Sequence, residues 1–203
     1  MAEGWRDSVV AYIQAEAQPA DKFGHQPRLY ALTQRIAESV VEPCDDDILF
    51  AATWMHDLGV FLGHRPADPK ALAGWDHVPY TVARTKELLT AWDFPVEKLA
   101  GVEVAILTHQ PKDDPELIEA VVLRDADILE QLGAIGALRT LVKVGRDTRY
   151  ATYSDALPVL ERAVVNLPDK IRTPFARELA APRVAALKAL IAAIHEEAGD
   201  LLY

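Results

Sequence analysis

The sequence predicts an all-α fold. Apolar residues recur at the spacing of a helix face along almost the whole chain. Alternating runs of Val, Ile, Thr or aromatic residues bounded by turn residues, which would indicate strands, are scarce. Proline and glycine stand between the helical segments. These three observations favour a bundle of short to medium helices.

The first half of the chain contains five predicted helices. Three aspartates in "EPCDDDILF" stand where a helix N-terminus favours negative charge, and Gly59 is expected to end that helix as a C-terminal cap. "FLGHRPADPKALAGWDHVP", residues 61–79, is expected to be a loop with little regular structure, of the kind that can cover a site. The predicted helices span about 5–17, 25–41, 45–58, 78–92 and 95–109.

The second half contains four more. "LTHQPKDDPELIEA" ends one helix before Pro111 and starts the next near Asp114 and Pro115. The Ala- and Leu-rich segment from residue 172 is expected to bend or restart at Pro182. The predicted helices span about 115–131, 133–146, 154–166 and 172–198.

Length and composition limit the class of protein. The 203 residues, 50% of them hydrophobic, suit one compact domain. The 21 basic and 31 acidic residues give a net charge of -10, which argues against binding to nucleic acid or anionic membranes but leaves room for a small phosphorylated ligand. The single Cys44 excludes an intrachain disulfide and a cysteine-based zinc site. The sequence has no secretory signal and no apolar run of about 18 residues, so the expected location is the cytoplasm.

Four of the six histidines fall near predicted helix ends: His25, His56, His77 and His109. His56 is followed by Asp57, and adjacent helical side chains point about 100° apart, so both can reach an ion beside their shared edge. Imidazole with carboxylate suits Zn, Mn, Fe or Ni. On its own, the pair is better explained by a helix end that reaches the surface than by a metal site.

His25 opens a helix whose Leu29, Leu32 and Ile36 form one apolar face, which places the histidine on or near the core side.

Asp125 interrupts a buried stripe in "ELIEAVVLRDADILEQLGAIG". A buried carboxylate requires a cation, a charged residue or several donors. Asp127 lies about 200° away, on the face of Arg124 and Gln131, so periodicity selects Asp125 as the inward acid. The stripe consists of Ile118, Val121, Val122, Asp125, Ile128, Leu129 and Leu132.

The order His, His-Asp, later Asp in a helical chain resembles the HD-domain superfamily of metal-dependent phosphohydrolases, in its small single-domain bacterial branch. The resemblance lies in "GHQPRLYAL", "MHDLG", "ILTHQP" and "LRDADILEQLGAIGALR". It implies a single HD domain over residues 1–203, with a metal-binding core at about 20–145 and C-terminal helices at 150–203 that pack on it. The last third carries no specific resemblance.

The resemblance implies four metal ligands: His25, His56, Asp57 and Asp127. The family pattern, an Ala-Asp-x-Leu unit, selects Asp127 as the expected ligand, although periodicity selects Asp125. Asp125 is then expected to support the site or to substitute for Asp127, and Asp57 or Asp125 to accept the proton of a bound water. Glu130 and Ile128 depart from the residues usual in this branch, which affects the predicted substrate more than the predicted metal.

The resemblance also implies that His77 and His109 line the pocket. Their positions in the sequence indicate that His64 is a loop residue and His195 a solvated histidine near a helix end. Phosphate would be bound by Arg28, Arg124 and Arg139, whose alternative role is surface pairing with local acids. Trp54, Trp75 and Tyr80 could stack on a base or fill the core.

The predicted function is hydrolysis of a small phosphorylated molecule, a nucleotide above all, by attack of a water bound to a divalent ion: Mn, Fe, Ni or Zn, with Mg as a further alternative. Two other functions stay open, an HD-type hydratase of a nitrile-like substrate (similar to cyanamide hydratase) and a non-catalytic metal- or nucleotide-binding HD domain. A homodimer contact through the last helix is also left open.

Overall fold

The computed structural model describes residues 4–146, 150–199 and 201–203. These residues form α-helices and 3-10 turns, with no strand among them. The predicted all-α class is therefore confirmed. The helices are α1 (Trp5–Glu16), α2 (His25–Ala37), α3 (Asp46–Met55), α4 (Pro69–Ala73), α5 (His77–Ala91), α6 (Leu99–Leu107), α7 (Ile118–Glu130), α8 (Gly133–Leu141), α9 (Tyr153–Asn166) and α10 (Pro174–Ala198).

Three local predictions are corrected by the structure. Helix α3 ends at Met55, and Gly59 lies in a 3-10 turn, Leu58–Val60, instead of capping the helix. The segment 61–79 contains the short helix α4, which Asp68 caps by accepting a hydrogen bond from the backbone N–H of Ala71. Helix α10 does not restart at Pro182, because one continuous helix runs from Pro174 to Ala198, and a bend at Pro182 stays a prediction.

The chain divides into two compact units, one up to Arg124 and one from Asp125 onward. The boundary falls within α7. The predicted single domain with a core at about 20–145 stays a prediction. None of the described helices is long and apolar enough to cross a membrane.

In the first unit, α3 is the central helix and packs against α1, α2 and α6, while α5 packs against α6. The α3 segment from Leu49 to Met55 is entirely buried, so this helix contributes to the core on all sides. Trp5 of α1 packs against this core, with its ring edge-on to Phe50 at 5.5 Å and to Phe94 at 4.8 Å.

In the second unit, α8, α9 and α10 pack against one another. Helix α9 begins with a capping box, in which Thr152 accepts a hydrogen bond from the backbone N–H of Asp155 and the Asp155 carboxylate accepts one in return. Gly133 opens α8 with φ +72° and lies directly against Arg183 of α10, where a Cβ atom would be 3.1 Å from that side chain.

Charged side chains tie the N-terminus of α3 to its neighbours. Nζ of Lys98 lies 2.9 Å from Asp45 and 2.7 Å from Asp47, and Arg6 lies 2.6 Å from Asp47. Burial raises the pKa of Asp45, but hydrogen bonds from Lys98 and two backbone N–H groups outweigh it, so the pKa lies below its usual value. Hydrogen bonds from Lys98 and Arg6 lower the pKa of Asp47.

We expect this cluster to stabilise the fold in a pH-dependent way. Carboxylates with a depressed folded-state pKa stabilise the protein above their unfolded pKa, and the contribution is lost as pH falls through the folded value. Lys98→Met should therefore lower the free energy of unfolding at about pH 7 and leave it unchanged at about pH 2. Urea titrations at the two pH values test this, and an equal loss at both would contradict it.

Candidate metal centre

The side chains of His56 and Asp57 converge because α3 ends at Met55, directly before them. His56 is the C-cap of α3, and Asp57 leaves the helical conformation with φ -102° and ψ 10°. Nε2 of His56 consequently lies 3.6 Å from Oδ2 of Asp57. The His56 side chain is fully buried, so the pair is not a helix end turned toward solvent.

His25 joins this pair from α2. It is the first residue of the helix, and the buried face of Leu29, Leu32 and Ile36 packs α2 onto α3. Its Nε2 lies 3.9 Å from Oδ2 of Asp57, and its ring lies 5.3 Å from that of His56. The predicted inward position of His25 is correct.

Two further histidines complete the cluster in the first unit. His109 follows the end of α6, and its ring centroid lies 5.0 Å from that of His56 and 6.0 Å from that of His77. His77 is the first residue of α5, and its Nε2 lies 3.6 Å from Oδ1 of Asp57. Asp57 therefore faces His25 and His56 with one oxygen and His77 with the other.

Backbone carbonyls orient two of the imidazole rings. Nδ1 of His56 lies 2.9 Å from the carbonyl oxygen of Thr53, and Nδ1 of His109 lies 2.6 Å from that of Ile106. A carbonyl oxygen only accepts, so each Nδ1 carries the proton and donates it. Each Nε2 then carries the lone pair, which is how histidine ligands of metals are commonly held.

Three candidate ligand atoms lie near the spacing that one ion requires. His56, Asp57 and His109 each offer one atom, and these atoms all lie within 4.8 Å of one another. Two ligands of the same ion are about 4 Å apart at most, given bond lengths near 2.1 Å. Small side-chain movements would therefore suffice to bind a metal.

The cluster is more exposed on the side of Asp57 and His77. The Asp57 and His77 side chains are 21% and 19% exposed, whereas those of His25 and His56 are 5% and 0% exposed. A substrate from solvent would meet Asp57 and His77 first.

In the second unit, Asp125 is bound by the segment before α10. Both of its carboxylate oxygens accept hydrogen bonds from the backbone N–H of Arg172 at 3.0 Å, and Oδ2 also accepts from the backbone N–H and the hydroxyl of Thr173 at 2.7 and 2.8 Å. The residue is fully buried, as the periodicity predicts. The protein chain itself thus supplies the donors that a buried carboxylate requires, which favours a structural role for Asp125. Proton acceptance by Asp125 stays a prediction.

Asp127 is held differently. Its Oδ2 accepts a hydrogen bond from the side chain of Gln131 at 3.0 Å, and Oδ1 lies 3.9 Å from Arg139. The side chain is 12% exposed. The predicted shared face of Asp127 and Gln131 is correct, and the role of Asp127 as a metal ligand stays a prediction.

The three arginines predicted to bind phosphate have different surroundings. Arg28 is exposed on α2, three residues after His25. Arg124 is buried and donates to the carbonyl oxygens of Gln110 and Pro111, so it fixes the segment that follows His109. Arg139 donates to the carbonyl oxygen of Glu130. Phosphate binding by these residues stays a prediction.

The predicted aromatic residues have mainly structural contacts. Trp54 is buried beside Phe23 and Phe50 and belongs to the core. The Tyr80 hydroxyl lies 2.8 Å from Nδ1 of His64. Trp75 donates a hydrogen bond from Nε1 to the carbonyl oxygen of Gly59.

The two remaining histidines lie outside the cluster. His64 is in a turn, as predicted, but its side chain is only 7% exposed, and Nε2 lies 3.1 Å from Glu16. His195 lies near the end of α10 and is 56% exposed, as predicted, with Nε2 2.8 Å from Glu161.

Comparisons with known proteins support the fold. No protein-family model matches the sequence, and no curated protein matches it. Solved structures do match over nearly the full chain, and they include HD-superfamily hydrolases: one from Bacillus thuringiensis (19% identity, TM-score 0.66, 95% of each chain) and a predicted one from an uncultured Thermotogales bacterium (21% identity, TM-score 0.62, 95% of this chain and 92% of that one). The chain thus has the fold of the HD superfamily, and the predicted HD-type helical fold is confirmed.

Among individual proteins, Bacillus subtilis YpgQ matches at 22% identity with a TM-score of 0.72, over 97% of each chain. YpgQ in complex with ADP matches at the same identity with a TM-score of 0.69, over 97% of this chain and 99% of that one. At these identities the likeness concerns the fold.

Proposed function

We propose that this protein is a divalent-metal-dependent phosphohydrolase that acts on a small phosphorylated molecule, with nucleotides as the substrate class. The observation that carries the proposal is the convergence of His25, His56 and His77 on the two carboxylate oxygens of Asp57. Clusters of imidazole and carboxylate at this spacing suit Mn, Fe, Ni or Zn, with Mg as the weaker alternative because it favours oxygen ligands.

The proposed ligands are His25, His56, Asp57 and Asp127. The first three lie together in the first unit, with His109 beside them as a further candidate ligand. Asp127 is preferred to Asp125 because Asp125 already accepts several hydrogen bonds from Arg172 and Thr173. A divalent ion held there would lower the pKa of a coordinated water and neutralise charge that develops on a phosphoryl oxygen.

The protein itself would supply orientation and a proton acceptor. Asp57 and His77 lie at the more exposed side of the cluster and can accept a proton from a water molecule that enters there. Buried His56 and His109 present Nε2 atoms in a fixed orientation.

A nucleotide substrate is supported by chemistry and by a structural neighbour. The solved YpgQ complex contains ADP. With a net charge of -10, this chain needs local positive charge to bind phosphate. Exposed Arg28, one helical turn from His25, is the best-placed candidate in the first unit.

A turnover assay tests the proposal. Chelator-treated protein is reloaded separately with Mn, Fe, Ni, Zn or Mg and incubated with nucleoside mono-, di- and triphosphates. We expect release of phosphate or pyrophosphate that depends on the added metal and disappears with chelator. Turnover of cyanamide without release from any phosphorylated compound would favour a hydratase, and metal binding without any turnover would favour a non-catalytic role.

A further inference from the structure

The backbone of Gly59 forms hydrogen bonds with the side chains of Trp75 and Thr81, which precede and follow His77 in the sequence. Its backbone N–H donates to Oγ1 of Thr81 at 3.0 Å, and its carbonyl oxygen accepts from Nε1 of Trp75 at 2.9 Å. Thr81 is fully buried and Trp75 half-buried. Both polar groups of one peptide residue are therefore bound by residues two positions before and four positions after His77.

The backbone of Gly59 also lies close to His77. A Cβ atom at position 59 would lie 2.8 Å from the carbonyl oxygen of His77 and 3.0 Å from its Cβ. Such distances are too short for any larger residue without a shift, so glycine is required for this approach. Gly59 follows Asp57 by two residues, which links the position of His77 to that of Asp57.

We propose that Trp75 and Thr81 are positioning residues that, by binding Gly59, hold His77 against Asp57. This inference rests on the proposed metal site. His77 lies 3.6 Å from Oδ1 of Asp57, so a fixed His77 orients the carboxylate and leaves Oδ2 directed at His25 and His56. Groups that orient a ligand in this way typically change metal affinity about 10- to 100-fold when they are removed.

Helix α5 offers a matched control for Thr81. Thr85 lies one turn further along and is 1% exposed, and within the described residues its hydroxyl has no hydrogen-bond partner. Thr81→Val and Thr85→Val therefore make the same chemical change on the same helix. Only Thr81→Val removes the hydroxyl oxygen that accepts the hydrogen bond from the Gly59 N–H. Thr81→Ser restores the hydroxyl, and Trp75→Phe removes the other hydrogen bond while retaining an aromatic ring.

The test measures the metal site directly. Chelator-treated proteins are titrated with Mn²⁺ to obtain the Kd and with Co²⁺ to record its visible absorption bands, which report ligand geometry. We expect Thr81→Val and Trp75→Phe to raise the Kd about tenfold and to alter the bands, and Thr85→Val and Thr81→Ser to resemble the wild type. These readouts do not depend on a substrate.

Two results would overturn the inference. One is an unchanged Kd and unchanged Co²⁺ bands in Thr81→Val and Trp75→Phe, even if both variants melt at lower temperature, because the two residues would then only stabilise the fold. The other is an equal change in Thr85→Val. Failure of the wild-type protein to bind either ion is a different result, since it would overturn the proposed function and the positioning role with it.

Discussion

Asp57→Asn should strongly weaken metal binding by this protein. The substitution keeps the size of the side chain but replaces the carboxylate, whose two oxygens face His25, His56 and His77, by a neutral amide. Because Asp57 is a proposed direct ligand, its removal should cost more than removal of an orienting group, and we expect the Kd for Mn²⁺ to rise by more than about 100-fold. Elemental analysis of the purified variant and a Mn²⁺ titration measure the effect.

Asp68→Asn is the matched control. Asp68 caps α4, and asparagine is an equally good N-cap, so this variant should bind metal like the wild type. Metal content in Asp57→Asn equal to that in Asp68→Asn would contradict the proposed ligand set.

Asp125→Asn and Asp127→Asn should separate stability from metal binding. An amide at position 125 would place an NH₂ group against the N–H groups of Arg172 and Thr173, leaving buried donors without an acceptor. We expect a loss of about 3 kcal/mol in the free energy of unfolding, with metal affinity retained once the protein is folded. Asp127→Asn should instead lose metal affinity with a smaller loss of stability.

Both quantities are measured on the same samples, by urea unfolding of the metal-free proteins and by Mn²⁺ titration. The opposite pattern, with loss of metal affinity in Asp125→Asn and loss of stability in Asp127→Asn, would make Asp125 the ligand. The comparison therefore decides between the two aspartates.

Much of the fold could be predicted because each helix carries a continuous apolar face. The predicted segments correspond to nine of the ten α-helices found among the described residues. Helix α4 is the exception, since none of its five residues is buried and it leaves no apolar periodicity to detect. Its signals are local ones, the N-cap Asp68 and the following Pro69.

Asp125 illustrates what periodicity can and cannot predict. The apolar stripe correctly predicted a buried carboxylate that needs donors. The stripe could not show whether the partner is a metal ion or a set of backbone N–H groups, because either can compensate the negative charge of a buried carboxylate. The donors come from residues 172 and 173, forty-seven and forty-eight positions along the chain, and no spacing in the sequence indicates that contact.

Gly59 shows a similar limit within the site. A glycine a few residues after a helix suggests a C-terminal cap, and this was the wrong reason for its presence. The real requirement is the close approach of His77, which depends on how the 3-10 turn packs on α5. For the same reason the sequence did not indicate Thr81, and it suggested Trp75 only as a residue that stacks on a base or fills the core.

The hydrogen bonds from His56 and His109 to carbonyl oxygens three residues earlier have a consequence for metal uptake. Each ring is fixed by the last turn of its own helix, so its orientation is established when that helix forms. An entering ion would find these two imidazoles already in place and would lose little affinity to side-chain ordering. Binding should then proceed with little rearrangement, and saturating metal should raise the melting temperature because the ion stabilises only the folded protein.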